Sequence, residues 1–104
     1  MLDTYAVVAE PSRRRIMDRL LQSDSSVTEL VNDLGLSQPL ISKHLRVLRE
    51  CGFVQVQIKA QHRIYCLNAE PLAEIDEWLN TYRKMWNKHV DALVEHLDQK
   101  NYGR

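Results

Sequence analysis

Hydrophobic positions recur at helical spacing along most of the chain and alternate with polar positions over one short stretch. Leu2–Ala9 is a short apolar segment, and Pro11 behind it suits the first turn of a second helix. Thr28 is predicted to cap the next helix, which Gly35 is well placed to end. The pattern therefore predicts three short helices in the first third of the chain.

A fourth helix is predicted over about 38–50, with Ser37 at its N-cap position and Pro39 in its first turn. Ile41, Leu45 and Leu48 follow an i, i+4, i+7 spacing, which places them on one buried stripe. The polar and basic residues between them therefore point away from the core.

A β-hairpin is predicted next, within about 53–67. Residues 53–58 alternate between apolar and polar side chains, and residues 63–67 form the returning strand. The polar residues 59–62 lie between the strands, so the hairpin has a basic, exposed tip.

A long helix over about 70–99 follows, because apolar residues recur there every three or four positions. The predicted fold is mainly α with one small hairpin, in the order α-α-α-α-β-β-α. No repeat or flexible linker interrupts the pattern, which indicates a single domain over 1–104.

The composition is that of a small globular protein. The 104 residues are 44% hydrophobic, and 14 basic side chains balance 14 acidic ones. No apolar run approaches the ~20 residues that span a bilayer, and Met1–Tyr5 has no secretory signal pattern. Two cysteines are too few for a disulfide scaffold. We therefore expect a cytoplasmic protein with no membrane partner.

The balanced charge is unevenly distributed along the chain. Residues 37–67 carry five basic side chains against Glu50 alone, whereas the segments on either side are net acidic. A local basic stretch indicates one surface that faces an anion.

The two predicted helices on either side of Gly35-Leu36-Ser37 form a helix-turn-helix unit over about 28–50, and the hairpin forms a wing. The second helix of such a unit leaves a polar side that can enter a major groove about 12 Å wide. A winged helix-turn-helix that binds double-stranded DNA is therefore predicted, although this fold also serves as a protein-interaction module.

Two motifs resemble those of the ArsR/SmtB family of bacterial winged-helix repressors. Residues 9–16 (AEPSRRRI) are similar to its opening "A-D-P-T-R-R-x-I". Residues 36–54 (LSQPLISKHLRVLRECGFV) resemble its "L-S-Q-x-x-V-S-K-H-L-x-V-L-R-x-A-G-L-V". The resemblance implies a homodimeric repressor that binds a palindromic operator and pairs through its first and last helices; the effector is unknown.

These observations together define two sets of candidate residues. The predicted DNA contacts are Ser37, Gln38, Pro39, Ser42, Lys43, His44, Arg46, Arg49, Lys59 and Arg63. The predicted dimer contacts are Leu2, Tyr5, Leu72, Leu79, Tyr82, Trp86, Val90 and Leu93. The family commonly has Gly-Arg at the tip of the wing, where this chain has Ala60-Gln61, so Arg63 or Lys59 is expected to replace the missing arginine.

The resemblance also raises the question of a metal effector. The positions that correspond to the family's metal ligands hold poor ligands for soft metals, so no metal site and no cofactor are predicted. These positions are Ser26, Thr28, Ala69, Pro71, Tyr82 and Met85. His89, Asp91 and His96 leave open a metal shared across a dimer.

Other functions remain as alternatives of lower weight. Cys51 and Cys66 flank the hairpin, so a thiol-responsive repressor stays open. The aromatic stripe of the last helix is interpreted as interface core rather than as a ligand-binding belt. The sequence lacks a Gly-rich phosphate loop and a known nucleophile motif, and we predict that the protein is not an enzyme.

Overall fold

Within residues 2–102, five helices and one hairpin follow each other in the order that the sequence predicts. The structure, a computed structural model, describes the backbone of residues 2–102 and the side chains of residues 2–89 and 91–97. The elements are α1 (Thr4–Ala9), α2 (Pro11–Gln22), α3 (Val27–Leu34), α4 (Gln38–Glu50), β1 (Val54–Lys59), β2 (His62–Leu67) and α5 (Leu72–Tyr102).

The residues fall into two compact units that divide between Ala73 and Glu74. The first unit contains α1 to α4 and the hairpin, and the second contains most of α5. The assignment of 1–104 to a single domain stays a prediction. No helix in the described part of the chain combines the length and the apolar character needed to cross a membrane.

The core of the first unit joins α1, α2, α3, α4 and the hairpin. The predicted stripe of α4 is confirmed, because Ile41, Leu45 and Leu48 are completely or almost completely buried. They belong to one cluster of buried side chains with Ile16 of α2 and Leu30 of α3. Burial of this cluster holds α4 in place by the hydrophobic effect, at roughly 25 cal/mol for each Å² of apolar surface removed from water.

Three consecutive arginines bond to the ends of neighbouring helices. Arg13 and Arg14 donate to carbonyl oxygens of α1, and Arg15 donates to the oxygen of Leu34 at the end of α3 over 2.8 Å. These carbonyls include unpaired groups at the helix ends that need donors. The arginine triplet therefore fastens α1 and α3 to α2.

The turn between α3 and α4 depends on a left-handed residue. Gly35 ends α3 with φ of +68°, and its N–H donates to the oxygen of Val31. A side chain at this φ would be strained, which is why glycine is favoured there. The predicted helix end at Gly35 is confirmed.

The N-cap of helix α3 lies two residues earlier than the sequence predicts. The N-cap is Ser26 rather than Thr28: the Ser26 hydroxyl accepts from the N–H of Glu29, and the Glu29 carboxylate accepts from the N–H of Ser26. Thr28 lies inside the helix and is exposed. The prediction was wrong because the Ser-x-x-Glu capping box outweighs a lone threonine.

Replacing Ser26 by alanine is expected to lower the free energy of unfolding by about 1 kcal/mol, because it removes an N-cap hydrogen bond. Thr28→Ala serves as the matched control and should change stability by less than about 0.5 kcal/mol, as exposed substitutions do. Urea unfolding of the three proteins measures both values. Equal losses in both variants would contradict the assignment of the cap.

The hairpin is tighter than predicted. Lys59 pairs with His62, so only Ala60 and Gln61 form the turn, with φ of +48° and +72°. Two left-handed residues are typical of a type I′ turn, which matches the twist of the strands. The sequence predicts a four-residue connection because Ala-Gln lacks the glycine or asparagine that signals this turn.

Candidate nucleic-acid interface

Helix α4 presents an uninterrupted polar and basic face opposite its buried stripe. Its hydrophobic stripe lies in the core, as described above, so the side chains on the other face do not take part in core packing. Apart from Pro39 and the acidic Glu50, the side chains that it exposes to solvent are Gln38, Ser42, Lys43, Arg46 and Arg49. All five belong to the predicted DNA-contact set, and their amide, hydroxyl and cationic groups suit base edges and phosphates.

The start of α4 is set by its cap. Ser37 accepts a hydrogen bond from the N–H of Leu40 over 3.4 Å, and Pro39 lies exposed in the first turn. Both were predicted as DNA contacts, and both lie beside Gln38 at the exposed end of the helix. Ser37 therefore caps α4 in addition to any contact that it makes with a ligand.

His44 does not belong with the exposed set. Its side chain is only 7% exposed and lies on the buried side of α4. We correct the prediction for this residue: a DNA contact requires an accessible side chain, and the neighbouring helices cover His44.

The contact of His44 with Arg13 accounts for the histidine in the family motif. Nη1 of Arg13 lies 3.4 Å from Nδ1 of His44, while the same guanidinium donates to Val7 and Ala6 of α1. A guanidinium only donates, so this contact is a hydrogen bond when Nδ1 carries the lone pair of the neutral imidazole. Burial, and then the charge of Arg13, lower the pKa of His44. One side-chain pair thus ties α4 to α1 and α2.

Stability is expected to fall as the pH drops below about 6.5, the ordinary pKa of histidine in an unfolded chain. Because the folded-state pKa of His44 is lowered, the unfolded state binds a proton more readily, and protonation favours unfolding. The stabilisation is complete above that pH and is lost as the pH falls toward the lowered pKa. Urea unfolding at about pH 7.5 and about pH 5.5 measures the difference.

His44→Gln is the control, because an amide keeps an acceptor for Arg13 and does not titrate. The loss between the two pH values should be smaller in this variant. Glu10 faces the same region, and a hydrogen bond from the N–H of Ser12 lowers the pKa of its carboxyl. Glu10 is common to both proteins. An identical pH dependence in both would remove His44 as its source.

The hairpin contributes two exposed cations. Arg63 pairs with Ile58 across the strands, and Lys59 pairs with His62 at the tip. Since directly paired residues share a face, Arg63 lies on the same face as Tyr65, whereas Lys59 lies on the opposite one. The two candidates for the missing wing arginine therefore point in different directions.

A concavity of about 290 Å³ lies between α4 and β2. Its floor is formed by the buried side chains of Leu45 and Tyr65. We call it the arginine socket, and its lining is Ser42, Leu45, Arg46, Arg49, Arg63 and Tyr65. The sequence analysis names its cations but misses Tyr65 and the socket itself; the period-two alternation that pairs Tyr65 with Arg63 on one face was the available signal.

Strand β2 is held in place by an isolated β-bridge to Ser25. Ser25 and Tyr65 exchange two backbone hydrogen bonds of 3.1 and 2.8 Å. Ser25 is completely buried in the loop between α2 and α3. The bridge therefore fixes Tyr65, and with it the direction of Arg63 two residues away.

The predicted dimer contacts differ in their exposure. Leu2, Tyr82, Trp86 and Leu93 are exposed, and Tyr5 and Leu79 are half-buried. Leu72 is half-buried and packs against the core of its own unit, and its contact across a dimer stays a prediction. The side chain of Val90 lies outside the described residues.

One of the positions that correspond to the family's metal ligands has a structural role. Ser26 caps α3, as shown above. No group of three potential metal-ligating side chains comes together within the described ranges, 2–89 and 91–97. Both cysteines are free: the Cys51 thiol donates to the oxygen of Leu2, and burial raises the pKa of the Cys66 thiol. A raised pKa disfavours the reactive thiolate.

Comparison with known proteins connects this arrangement to a family. Residues 10–56 match the model described as "Bacterial regulatory protein, arsR family". The transcriptional repressor SdpR of Bacillus subtilis (strain 168) is 28% identical over 79 residues, which cover 76% of this chain and 88% of SdpR. The uncharacterized HTH-type transcriptional regulator Rv0081 of Mycobacterium tuberculosis (strain ATCC 25618 / H37Rv) is 36% identical over 100 residues, 95% of this chain and 85% of Rv0081.

A solved structure shares the fold. The crystal structure of a possible transcriptional regulator for arsenical resistance is similar with a TM-score of 0.69 and 34% identity, over 79% of this chain and 85% of that chain. The matched region includes α3, α4 and the start of the hairpin, which form a winged helix-turn-helix. The chain therefore belongs to the arsR family of bacterial transcriptional regulators.

Proposed function

We propose that this regulator represses transcription as a homodimer that binds a palindromic DNA operator through α4 and the hairpin. One observation carries the proposal: α4 buries its apolar stripe and, apart from Pro39 and Glu50 near its two ends, exposes only polar and basic side chains on the other side. Such a helix fits the major groove with its polar face toward the base edges. The net positive charge of residues 37–67 supplies attraction to phosphates.

The position of each side chain along α4 suggests its task. Gln38 lies in the first turn, where this motif comes closest to the bases, and its amide can pair with adenine. Ser42 and Lys43 lie one turn later and reach a base or a phosphate. Arg46 and Arg49 lie farther along and hold the DNA backbone, which positions the helix without specifying sequence.

The hairpin extends the contact beyond α4. Lys59 and Arg63 are both exposed and lie on opposite faces of the two strands. In the proposed complex both side chains contact the DNA backbone. The basic surface therefore includes two separate elements, which favours DNA over a protein partner that would bind one helix.

The proposed dimer rests on exposed apolar surface of α5. Large hydrophobic side chains remain exposed along this helix, and their three- and four-residue spacing places most of them on one stripe. They are Trp78, Tyr82, Met85, Trp86, Leu93, Val94 and Leu97. Such a stripe marks an interaction surface. A two-fold dimer would place two α4 helices on half-sites about 34 Å apart.

Selection of bound sequences from a random DNA pool tests the proposal. We expect an inverted repeat, bound with a dissociation constant that rises steeply with salt, because the contact releases counterions from phosphates. Enrichment of no sequence, together with retention on DNA that does not depend on salt, would overturn the proposal. A winged-helix module for protein interaction would then take its place.

Gln38→Ala is expected to relax base preference at one position in each half-site, at a cost of about 1–3 kcal/mol against the preferred base. Binding to random DNA should stay nearly unchanged, since the amide carries no charge. Gln22→Ala, which removes an exposed amide at the end of α2, is the matched control. Repeating the selection with each variant measures the preference, and an unchanged operator with Gln38→Ala would exclude this side chain from base recognition.

A further inference from the structure

We propose that the arginine socket between α4 and β2 holds one phosphate group of the DNA backbone in each protomer. The inference rests on the proposed function and deepens it, because it assigns three separate cations to a single phosphate. Arg46 and Arg49 come from α4, and Arg63 comes from β2. Cations from two different elements therefore line the same concavity.

The chemistry of the lining favours a phosphate. No carboxylate is among the residues that line the socket. Guanidinium groups match the geometry of phosphate oxygens with two parallel hydrogen bonds, and the Ser42 hydroxyl adds a further donor at the rim. The volume of about 290 Å³ exceeds the ~30 Å³ share of one water several-fold. A phosphate group can therefore enter with part of its hydration.

The three arginines differ in whether a nearby carboxylate already compensates their charge. Arg46 lies 4.0 Å from Glu50 on the exposed surface, and this pair is weak because water and salt screen it. Within the part of the chain that the structure describes, neither Arg49 nor Arg63 has an ion-pair partner. The positive charge of the socket is therefore mostly uncompensated in the absence of DNA.

The floor of the socket makes these charges more effective. Leu45 and Tyr65 are buried core residues, so the wall that they form is closed to water. An apolar wall lowers the local dielectric constant and strengthens attraction between the arginines and the phosphate. The backbone bridge between Ser25 and Tyr65 keeps β2 in place, so little ordering is required when the phosphate binds.

A shared phosphate predicts coupling between protein and DNA substitutions. Operators that carry one uncharged methylphosphonate, moved along each half-site, locate the phosphate: at one position wild-type affinity should fall at least about tenfold. In Arg46→Ala and in Arg63→Ala the same methylphosphonate should cost less than about threefold, because the contact is already lost. Both side chains are exposed, so both variants should fold.

Lys43→Ala and Lys59→Ala are the matched controls, because they remove exposed cations of α4 and β1 that lie outside the socket. Both should bind more weakly than wild type yet keep the full tenfold penalty at that position. If Arg46→Ala and Arg63→Ala couple to different phosphates, or to none, the socket is overturned. Operator binding persists in that case, so the proposed function survives. If wild type binds no operator, both proposals fail.

A second arm separates DNA phosphate from a free anion. Inorganic phosphate is titrated into the DNA-free protein at constant ionic strength, and the Nε–H signals of Arg46 and Arg63 are followed by NMR. We expect both signals to shift together only at millimolar phosphate, because a single free ion lacks the remaining contacts of the operator. Micromolar binding without any methylphosphonate effect would overturn the assignment to DNA.

Discussion

Replacing Arg46 by glutamate is expected to lower operator affinity about a thousandfold at ~150 mM salt. With a slope of about −0.9 for each phosphate, one contact contributes about fivefold at this salt, and the two contacts of a dimer contribute about 30-fold. Reversing the charge adds a repulsion of similar size to the loss. The side chain is exposed and 76% accessible, so the substitution should leave the fold intact.

The dissociation constant as a function of salt checks this prediction. Arg46→Ala should lose about 30-fold and flatten the salt slope by about two per dimer, equally for all sequences. Arg46→Lys keeps the charge and should retain the slope while losing the paired hydrogen bonds of the guanidinium. Binding of the glutamate variant within threefold of wild type would show that α4 does not contact DNA at this residue.

Trp86→Ala is expected to dissociate the proposed dimer. The Trp86 side chain is 54% exposed in the single chain, so in a monomer its truncation should change stability by no more than about 0.5 kcal/mol. In a two-fold interface the same residue counts twice, and buried tryptophans contribute about 2 kcal/mol or more each. The expected total of about 4 kcal/mol raises the dimer dissociation constant about a thousandfold.

Sedimentation equilibrium at micromolar concentrations measures this effect. Lys84→Ala is the matched control, since it removes an exposed side chain of the same helix without apolar surface at its tip. It should sediment as wild type does. Wild-type protein that is monomeric at tens of micromolar, or a Trp86→Ala variant that associates as tightly as wild type, would contradict the proposed interface.

The order of the elements and the two faces of α4 are determined by local sequence. The spacing of Ile41, Leu45 and Leu48 predicts both the buried stripe and the exposed polar face, because the helical period places every side chain once the helix exists. Gly35 predicts the end of α3 for an equally local reason, the left-handed backbone that a side chain would strain. The capping box at Ser26 is equally local, because Ser26 and Glu29 stand three residues apart in the sequence.

Only the tertiary structure decided which candidate residues are buried and which of them lie close together. His44 belongs to the family motif, yet it contacts Arg13, 31 positions earlier, and lies in the core. The arginine socket requires β2 to pack beside α4, which depends on the bridge from Ser25 to Tyr65. Helical and strand periods follow from a few neighbouring residues, whereas such contacts depend on how buried surfaces from distant segments fit together. A motif therefore names the residues, and packing determines which of them face solvent.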